Sequence, residues 1–291
     1  MDTTELLKRV RKIEIKTKGL SKQIFSGEYH SAFKGRGMAF SEVRDYMPGD
    51  DIRNIDWNVT ARYNHPYVKV FEEERELTVM LLVDISASGK FGTSNQSKKN
   101  LITELCAVLA FSAINNNDKI GAILFSNQVE KFIPPKKGKS HTLRIIRELL
   151  EFEPQHSETS IAAGLQHFNN AIKKKSIAFL ISDFMDKGFD DPLKIAARKH
   201  DLIALKIYDK REESLPNIGL VNLTDVETGK SITVDTGRKR IRNAYKQKYI
   251  ERDKALISLF GKSKVDNASI STDEDYVKPL IQLFKRRGAK V

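Results

Sequence analysis

Leu77-Thr78-Val79-Met80-Leu81-Leu82-Val83-Asp84-Ile85-Ser86-Ala87-Ser88 joins an apolar run to a loop rich in oxygen side chains. Everything before Asp84 is an unbroken apolar, β-branched run of strand length, the pattern of a strand buried on both faces of a parallel sheet. It stops at a carboxylate. Much further along, Ser176-Ile177-Ala178-Phe179-Leu180-Ile181-Ser182 repeats the run and again stops at a carboxylate, Asp183. In an open, doubly wound α/β sheet, ligands bind beyond the carboxyl ends of the strands where the strand order reverses. Two such tips can therefore be neighbours despite their separation in sequence.

Around these runs strands and helices alternate, as parallel βαβ units require. The spacing of Leu101, Leu105, Val108 and Leu109 predicts a helix over 98–115. Ile120 to Phe125 reads as a strand, and Val129 to Ile133 as another, closed by Pro134-Pro135. Two helices follow, the first with Leu143, Ile146, Leu149 and Leu150 inward, the second with Ile161, Leu165 and Phe168. Beyond Asp183 come a helix near 192–199, a strand over 202–208 and a hairpin joining 221–226 to 231–234 through Thr228-Gly229. A long charged helix starts near Arg238. The last helix is marked by Thr272 and Asp275 at capping-box spacing, with Tyr276, Val277, Leu280, Ile281 and Phe284 on one face.

Residues 1–75 have another texture: a short amphipathic start (Leu6, Leu7, Val10, Ile13), then a turn-rich stretch with Gly27, Gly35, Gly37, Pro48 and Gly49. The chain thus reads as an irregular, mostly loop-built segment, 1–75, packed on an α/β domain, 76–291. Tyr46, Ile52, Ile55 and Trp57 are the apolar side chains expected to dock it. Arg44, Arg53 and Arg62 are expected to pair with Asp45, Asp50, Asp51 and Asp56, in preference to a second metal site among those aspartates.

With 291 residues and 40% hydrophobic content the chain can bury a substantial core. A single cysteine, Cys106, rules out an internal disulfide and a cysteine-cluster metal site. The amino terminus lacks a basic region followed by an apolar stretch, and no apolar run approaches the ~18 residues that span a bilayer, so a cytoplasmic protein is expected. The net charge of +12 favours acidic partners. Its basic clusters are dispersed, lack interleaved aromatics and accompany no helix-turn-helix or RNA-binding signature, which argues against nucleic acid.

A hard divalent cation takes oxygen ligands, and Mg²⁺ wants them in octahedral array. Asp84-x-Ser86-x-Ser88 offers a carboxylate and two hydroxyls from one loop leaving a strand tip. Asp183 offers a second carboxylate, and Thr159, at the head of a helix-like segment, a third hydroxyl. Turn capping accounts for the same residues equally well, with Asp84 and Asp183 capping adjacent turns and Thr159 as an N-cap. Other signals fail. Gly138-Lys139-Ser140 and Gly261-Lys262-Ser263 resemble phosphate-loop ends, but Ile133 and Leu256 stand where the leading glycine belongs. The six histidines include no pair at metal-binding spacing. There is no nucleophile-elbow serine, and no base to activate Ser86 or Ser88, so an enzyme is not expected.

Two sets of these residues resemble the signatures of known families. Asp84-x-Ser86-x-Ser88 with Thr159 and Asp183 resembles the metal-ion-dependent adhesion site of von Willebrand factor A domains. The segment from Gly35-Arg36-Gly37 through Phe40-Ser41-Glu42-Val43-Arg44-Asp45-Tyr46, Pro48-Gly49-Asp50-Asp51-Ile52-Arg53-Asn54-Ile55-Asp56-Trp57 and Ala61-Arg62 resembles the signature of the prokaryotic domain-of-unknown-function family numbered 58. Ile181-Ser182-Asp183-Phe184 and Ser271-Thr272-Asp273-Glu274-Asp275-Tyr276 add to it. The resemblance implies a metal-dependent protein-binding module, commonly linked with a MoxR-type AAA+ ATPase in chaperone-like maturation or stress functions. It also implies that the hydroxyls of Ser86, Ser88 and Thr159 coordinate Mg²⁺, or another hard ion such as Mn²⁺ or Ca²⁺. Asp84 and Asp183 would then act directly or through water, and an acidic side chain of the partner would complete the shell. The alternative is a metal-assisted phosphoryl hydrolase on a Rossmann-like sheet, with Asp84 attacking and Asp183 holding the ion.

Overall fold

The computed structural model describes residues 39–72, 76–87, 97–225 and 229–288, in two compact units, one spanning 34–77 and the other the α/β part that begins at Thr78. The expectations for Leu6, Leu7, Val10, Ile13, Gly27, Gly35, Gly37, Ser88, Val226 and Thr228 lie outside the described residues.

The smaller unit is more regular than its glycine and proline content suggests. Strand β1 (Ala39–Asp45) pairs antiparallel with β2 (Tyr67–Glu72), and between them in sequence come a single 3-10 turn (Ile52–Asn54) and the short helix α1 (Trp57–Tyr63). Its aspartates cap and clamp. Arg44 donates from both terminal nitrogens to Asp50, 2.8 Å to each carboxylate oxygen, and Met47 N–H adds a third bond, closing a turn in which Gly49 adopts φ +110°. The Arg44 guanidinium is the main cause that holds the Asp50 carboxyl below its usual range. Asp56 caps α1 by accepting from Asn58 and Val59 N–H, and lies 3.4 Å from Lys69. Arg53 is 3.6 Å from Asp51 in an exposed pair of little energetic weight. Tyr46 and Ile55 are half-buried, whereas Ile52 and Trp57 are 68% and 69% exposed.

The larger unit is built on a six-stranded sheet. Its strands are β3 (Thr78–Asp84), β4 (Lys119–Phe125), β5 (Val129–Lys136), β6 (Ile177–Ser182), β7 (Asp201–Tyr208) and β10 (Asp266–Ser271), in the spatial order β10-β7-β6-β3-β4-β5. All neighbours are parallel except β4 and β5, so the α/β, doubly wound, mostly parallel sheet expected from the sequence is present. The chain moves outward one way from β3 to β4 and the other way from β6 to β7 and β10. The order therefore reverses between β3 and β6. Strands β8 (Leu220–Thr224) and β9 (Ser231–Asp235) form the expected separate hairpin.

Alternation along the buried strands feeds two layers. Met80, Leu82, Ile123, Phe125, Ala178 and Leu180 face helices α4 (Ile161–Ala171), α5 (Asp190–Lys199) and the long α6 (Lys239–Lys262). Phe179 points the other way, against Phe284 of α7 (Val277–Gly288), on the face that α2 (Lys98–Asn115) and α3 (Lys139–Glu151) also cover. Helix α2 begins and ends where its periodicity predicts, N-capped by Ser97. Helix α4 approaches the sheet so closely that a Cβ on Gly164 would lie 2.8 Å from Phe125 Cδ1.

Two local expectations are corrected. Pro134-Pro135 do not close β5, which runs on to Lys136. It is an edge strand, where a missing N–H removes no ladder bond on the open side. The Thr272/Asp275 capping box does not form. Thr272 Oγ1 donates instead to Asp209 Oδ2 at 2.9 Å, and α7 starts later, with Val277 N–H on Asp275 Oδ1.

Candidate functional site

Asp84 ends β3 and Asp183 follows the last residue of β6, the strands that flank the reversal of strand order, so the two carboxylates meet at the sheet's switch point. In the register Val83 lies opposite Ile181, which sets Asp84 beside Ser182. Ser182 Oγ donates to Asp84 Oδ2 at 2.6 Å, and Ser86 N–H donates to Asp84 Oδ1 at 3.0 Å. Asp84, Ser86 and Asp183 are 6%, 3% and 8% exposed. Burial first, and then the charge of Asp183, raise the Asp84 carboxyl from its ordinary 3.8 to about 7, against the lowering effect of its bonds to Ser182 and Ser86. The mutual repulsion of the pair is therefore expressed at Asp84, which holds its proton more tightly than a free carboxyl does.

Asp183 is aimed by its own turn. Phe184 takes a left-handed conformation, φ +57°, and buries its ring against Phe189 and Phe260. Met185 N–H then donates to Asp183 Oδ1 at 3.1 Å. A left-handed phenylalanine is sterically costly and persists because aromatic packing holds it. Thr159 is half-buried at the same edge of the sheet, between two ties. Ala87 N–H donates to the Ser157 carbonyl, and Ser160 N–H to the Ser126 carbonyl. The N-cap of α4 is Ser160, which accepts from Ala163 N–H, so Thr159 is not the cap. Ser88 lies outside the described residues.

The residue that the sequence reading missed is Lys98. Only 1% exposed, its Nζ lies 3.2 Å from Asp183 Oδ2 and 2.5 Å from Glu212 Oε1. Burial pulls its proton affinity down, but the charges of Asp183 and Glu212 outweigh it and leave the ammonium above its ordinary value. A lysine in the first turn of a helix faces the positive end of the helix dipole, so its partners rather than its helix hold it there. Glu212 is itself fixed. It belongs to a capping box with Asp209, the residue that receives Thr272.

The donor set suits a hard ion of the Mg²⁺ type. No group of three or more His, Cys, Asp or Glu side chains placed to hold a metal occurs among the described residues. An ion here would rely on the carboxylate pair and on hydroxyls, of which Ser86 is in place beside Asp84. An apolar cleft lined by Val83, Ile102, Leu149 and Phe152 carries Asp84 and Ser86 in its wall.

The architecture defines an α/β protein with a pair of strand-end carboxylates at the switch point of its sheet. The sequence places it further: the chain belongs to the family described as protein of unknown function DUF58, whose pattern matches residues 42–255. It is 27% identical over 296 residues to the uncharacterized protein Rv1480 of Mycobacterium tuberculosis (strain ATCC 25618 / H37Rv), covering 99% of this chain and 92% of that one. It is 31% identical over 110 residues to the uncharacterized protein YeaD of Bacillus subtilis (strain 168), covering 38% and 25%. Among solved structures it is similar to an aerotolerance-related membrane protein from Bacteroides fragilis NCTC 9343, at 16% identity and TM-score 0.49 over 74% of this chain and all of that one (100%). It is also similar to the SpRpn10 VWA domain, at 12% identity and TM-score 0.39 over 73% and 95%. Among the described residues no helix is long and apolar enough to cross a membrane.

Proposed function

We propose that this protein is a Mg²⁺-dependent protein-binding module whose partner, a MoxR-type AAA+ ATPase or another protein presenting an exposed Asp or Glu, binds at the edge formed by Asp84, Ser86, Ser88, Thr159 and Asp183. The observation that carries the reading is the buried pair Asp84 and Asp183 at the ends of adjacent strands, with the Ser86 hydroxyl beside Asp84. A divalent ion bound there would supply an electrophilic centre able to recruit one more carboxylate. The residues do the rest. Ser182 and the Ser86 N–H orient Asp84, the turn at Phe184 orients Asp183, and the +12 chain steers acidic surfaces inward.

The test is capture of a MoxR-type ATPase by the immobilised full chain in Mg²⁺ and in EDTA, alongside the Ser86→Ala/Ser88→Ala double variant. Retention in Mg²⁺ alone, and loss in the variant, is the expected result; equal capture under all three conditions would overturn the reading.

One observation favours the hydrolase as a second reading: Lys98 supplies the cationic side chain that the sequence did not reveal at the site. Against it, both oxygens of Asp84 accept hydrogen bonds, from Ser182 Oγ and from Ser86 N–H, which occupy lone pairs an attack would use. Turnover of a generic phosphate ester in Mg²⁺, lost in Asp84→Asn, would establish it.

A further inference from the structure

Buried lysines are rare unless paired. Lys98 is paired twice, and one of its partners is a carboxylate that a divalent ion would need. Its stem starts from the first residue of α2, capped by Ser97, so the ammonium is delivered from a fixed point and cannot drift far. Its other partner, Glu212, is held in the capping box with Asp209, which makes it a second resting place for the same ammonium. Lys98 therefore has two carboxylates within reach of one position, and only one of them belongs to the strand-end pair.

We infer that Lys98 is a tethered competitor for the cation site: its ammonium occupies Asp183 Oδ2 when no divalent ion is bound, and retreats to Glu212 alone when one enters. The inference rests on the metal-binding reading and extends it to what sets affinity. Charge accounts for the exchange. An ammonium at Asp183 partly neutralises the pair that attracts the ion, and a divalent ion beside an unretracted ammonium is repelled by it. The lysine thus holds the site at weak affinity, so that binding follows the ion's concentration and is not saturated by traces of it. The order of contacts also links the site to the loop after β7, since Glu212 and Asp209 share a cap and Asp209 receives Thr272 ahead of α7.

The experiment is calorimetric titration of Mg²⁺ into the full-length wild type, Lys98→Met and the double variant Lys98→Met/Glu212→Gln, each checked for a cooperative melt. Lys98→Met deprives both Asp183 and Glu212 of their counter-ion, and the double variant removes the charge of Glu212, so a fold lost in the single variant can be regained with Asp183 intact. At least tenfold tighter Mg²⁺ binding in a folded Lys98 variant, or measurable binding there with none in the wild type, is the expected result. Equal binding in the wild type and the folded variants overturns the competitor role and leaves the metal reading standing. Weaker binding in the variants overturns it too, because Lys98 would then be positioning Asp183. Absence of binding in all of them removes the metal reading itself.

Discussion

Replacing Asp84 by asparagine in the metal-free protein is expected to stabilise it, by an amount that depends on pH. The Asp84 carboxyl is raised from 3.8 to about 7 by burial and by the charge of Asp183, behind which stands Lys98. The folded state holds this proton more tightly than the unfolded chain does. Protonated Asp84 therefore favours folding fully below pH 4, and that contribution is lost as the pH rises from about 4 through about 7. At ~1.4 kcal/mol per tenfold difference in proton affinity, ionised Asp84 costs on the order of 4 kcal/mol at pH 8. Asparagine keeps the shape. Its oxygen can accept from Ser86 N–H, while its amide faces Ser182 Oγ, whose own proton loses its acceptor at a cost of ~1 kcal/mol. The net gain is roughly 3 kcal/mol at pH 8, or about 6 °C in melting temperature for a chain of this size, shrinking to nearly nothing near pH 4.5. Thermal unfolding followed by circular dichroism in EDTA, at both pH values, reads this directly. Added Mg²⁺ should then raise the melting temperature of the wild type and not of Asp84→Asn. No gain at pH 8, or an equal gain at both pH values, would show that the fold does not raise the Asp84 carboxyl.

Asp183→Ala should abolish Mg²⁺ binding in calorimetry while the protein still melts cooperatively, because Lys98 keeps Glu212 as its counter-ion; affinity unchanged from the wild type would contradict this. Gly164→Ala should cost about 1–3 kcal/mol in urea unfolding, since its new methyl would meet the Phe125 ring at 2.8 Å, and an unaltered midpoint would show that helix α4 shifts freely. Thr272→Val should lose ~1–2 kcal/mol by stranding Asp209 without its hydroxyl donor. Cys106 is wholly buried and its thiol is pushed far up by that burial, so a thiol reagent should label it only on unfolding; fast labelling of the native protein would place it elsewhere.

The strand tips were legible because a strand covered on both faces leaves a continuous apolar run, and Asp84 and Asp183 break theirs at the point where each strand leaves the sheet. Helix α2 was legible from its periodicity. What sequence could not reveal was decided by partners far along the chain. Lys98 reads as a solvated charge at a helix start, and only the fold brings it to Asp183 and Glu212, which lie 85 and 114 positions away. The spacing of Thr272 and Asp275 satisfies a capping rule, yet Asp209, 63 positions earlier, takes the hydroxyl. The prolines of β5 are harmless because that strand is at an edge, which is a property of strand order and not of local sequence. Strands β1 and β2 were missed because each is short and the turns between them dominate the composition.

The strand order has a consequence for how the molecule can be divided. Strands β3, β4 and β5 come from one continuous stretch of chain, and β6, β7 and β10 from the next, and the two half-sheets are sewn together along the single seam between β3 and β6. The bond from Ser182 to Asp84 crosses that seam and joins residues 98 positions apart. The exposed residues Gln155 to Glu158 lie between the halves in sequence, where a cut removes no strand or helix. Two fragments made there would each carry one aspartate of the pair, and neither alone would have the pair. Their reassociation would bring the two carboxylates together only as the seam closes, so the pair is a property of the joined sheet and of neither half.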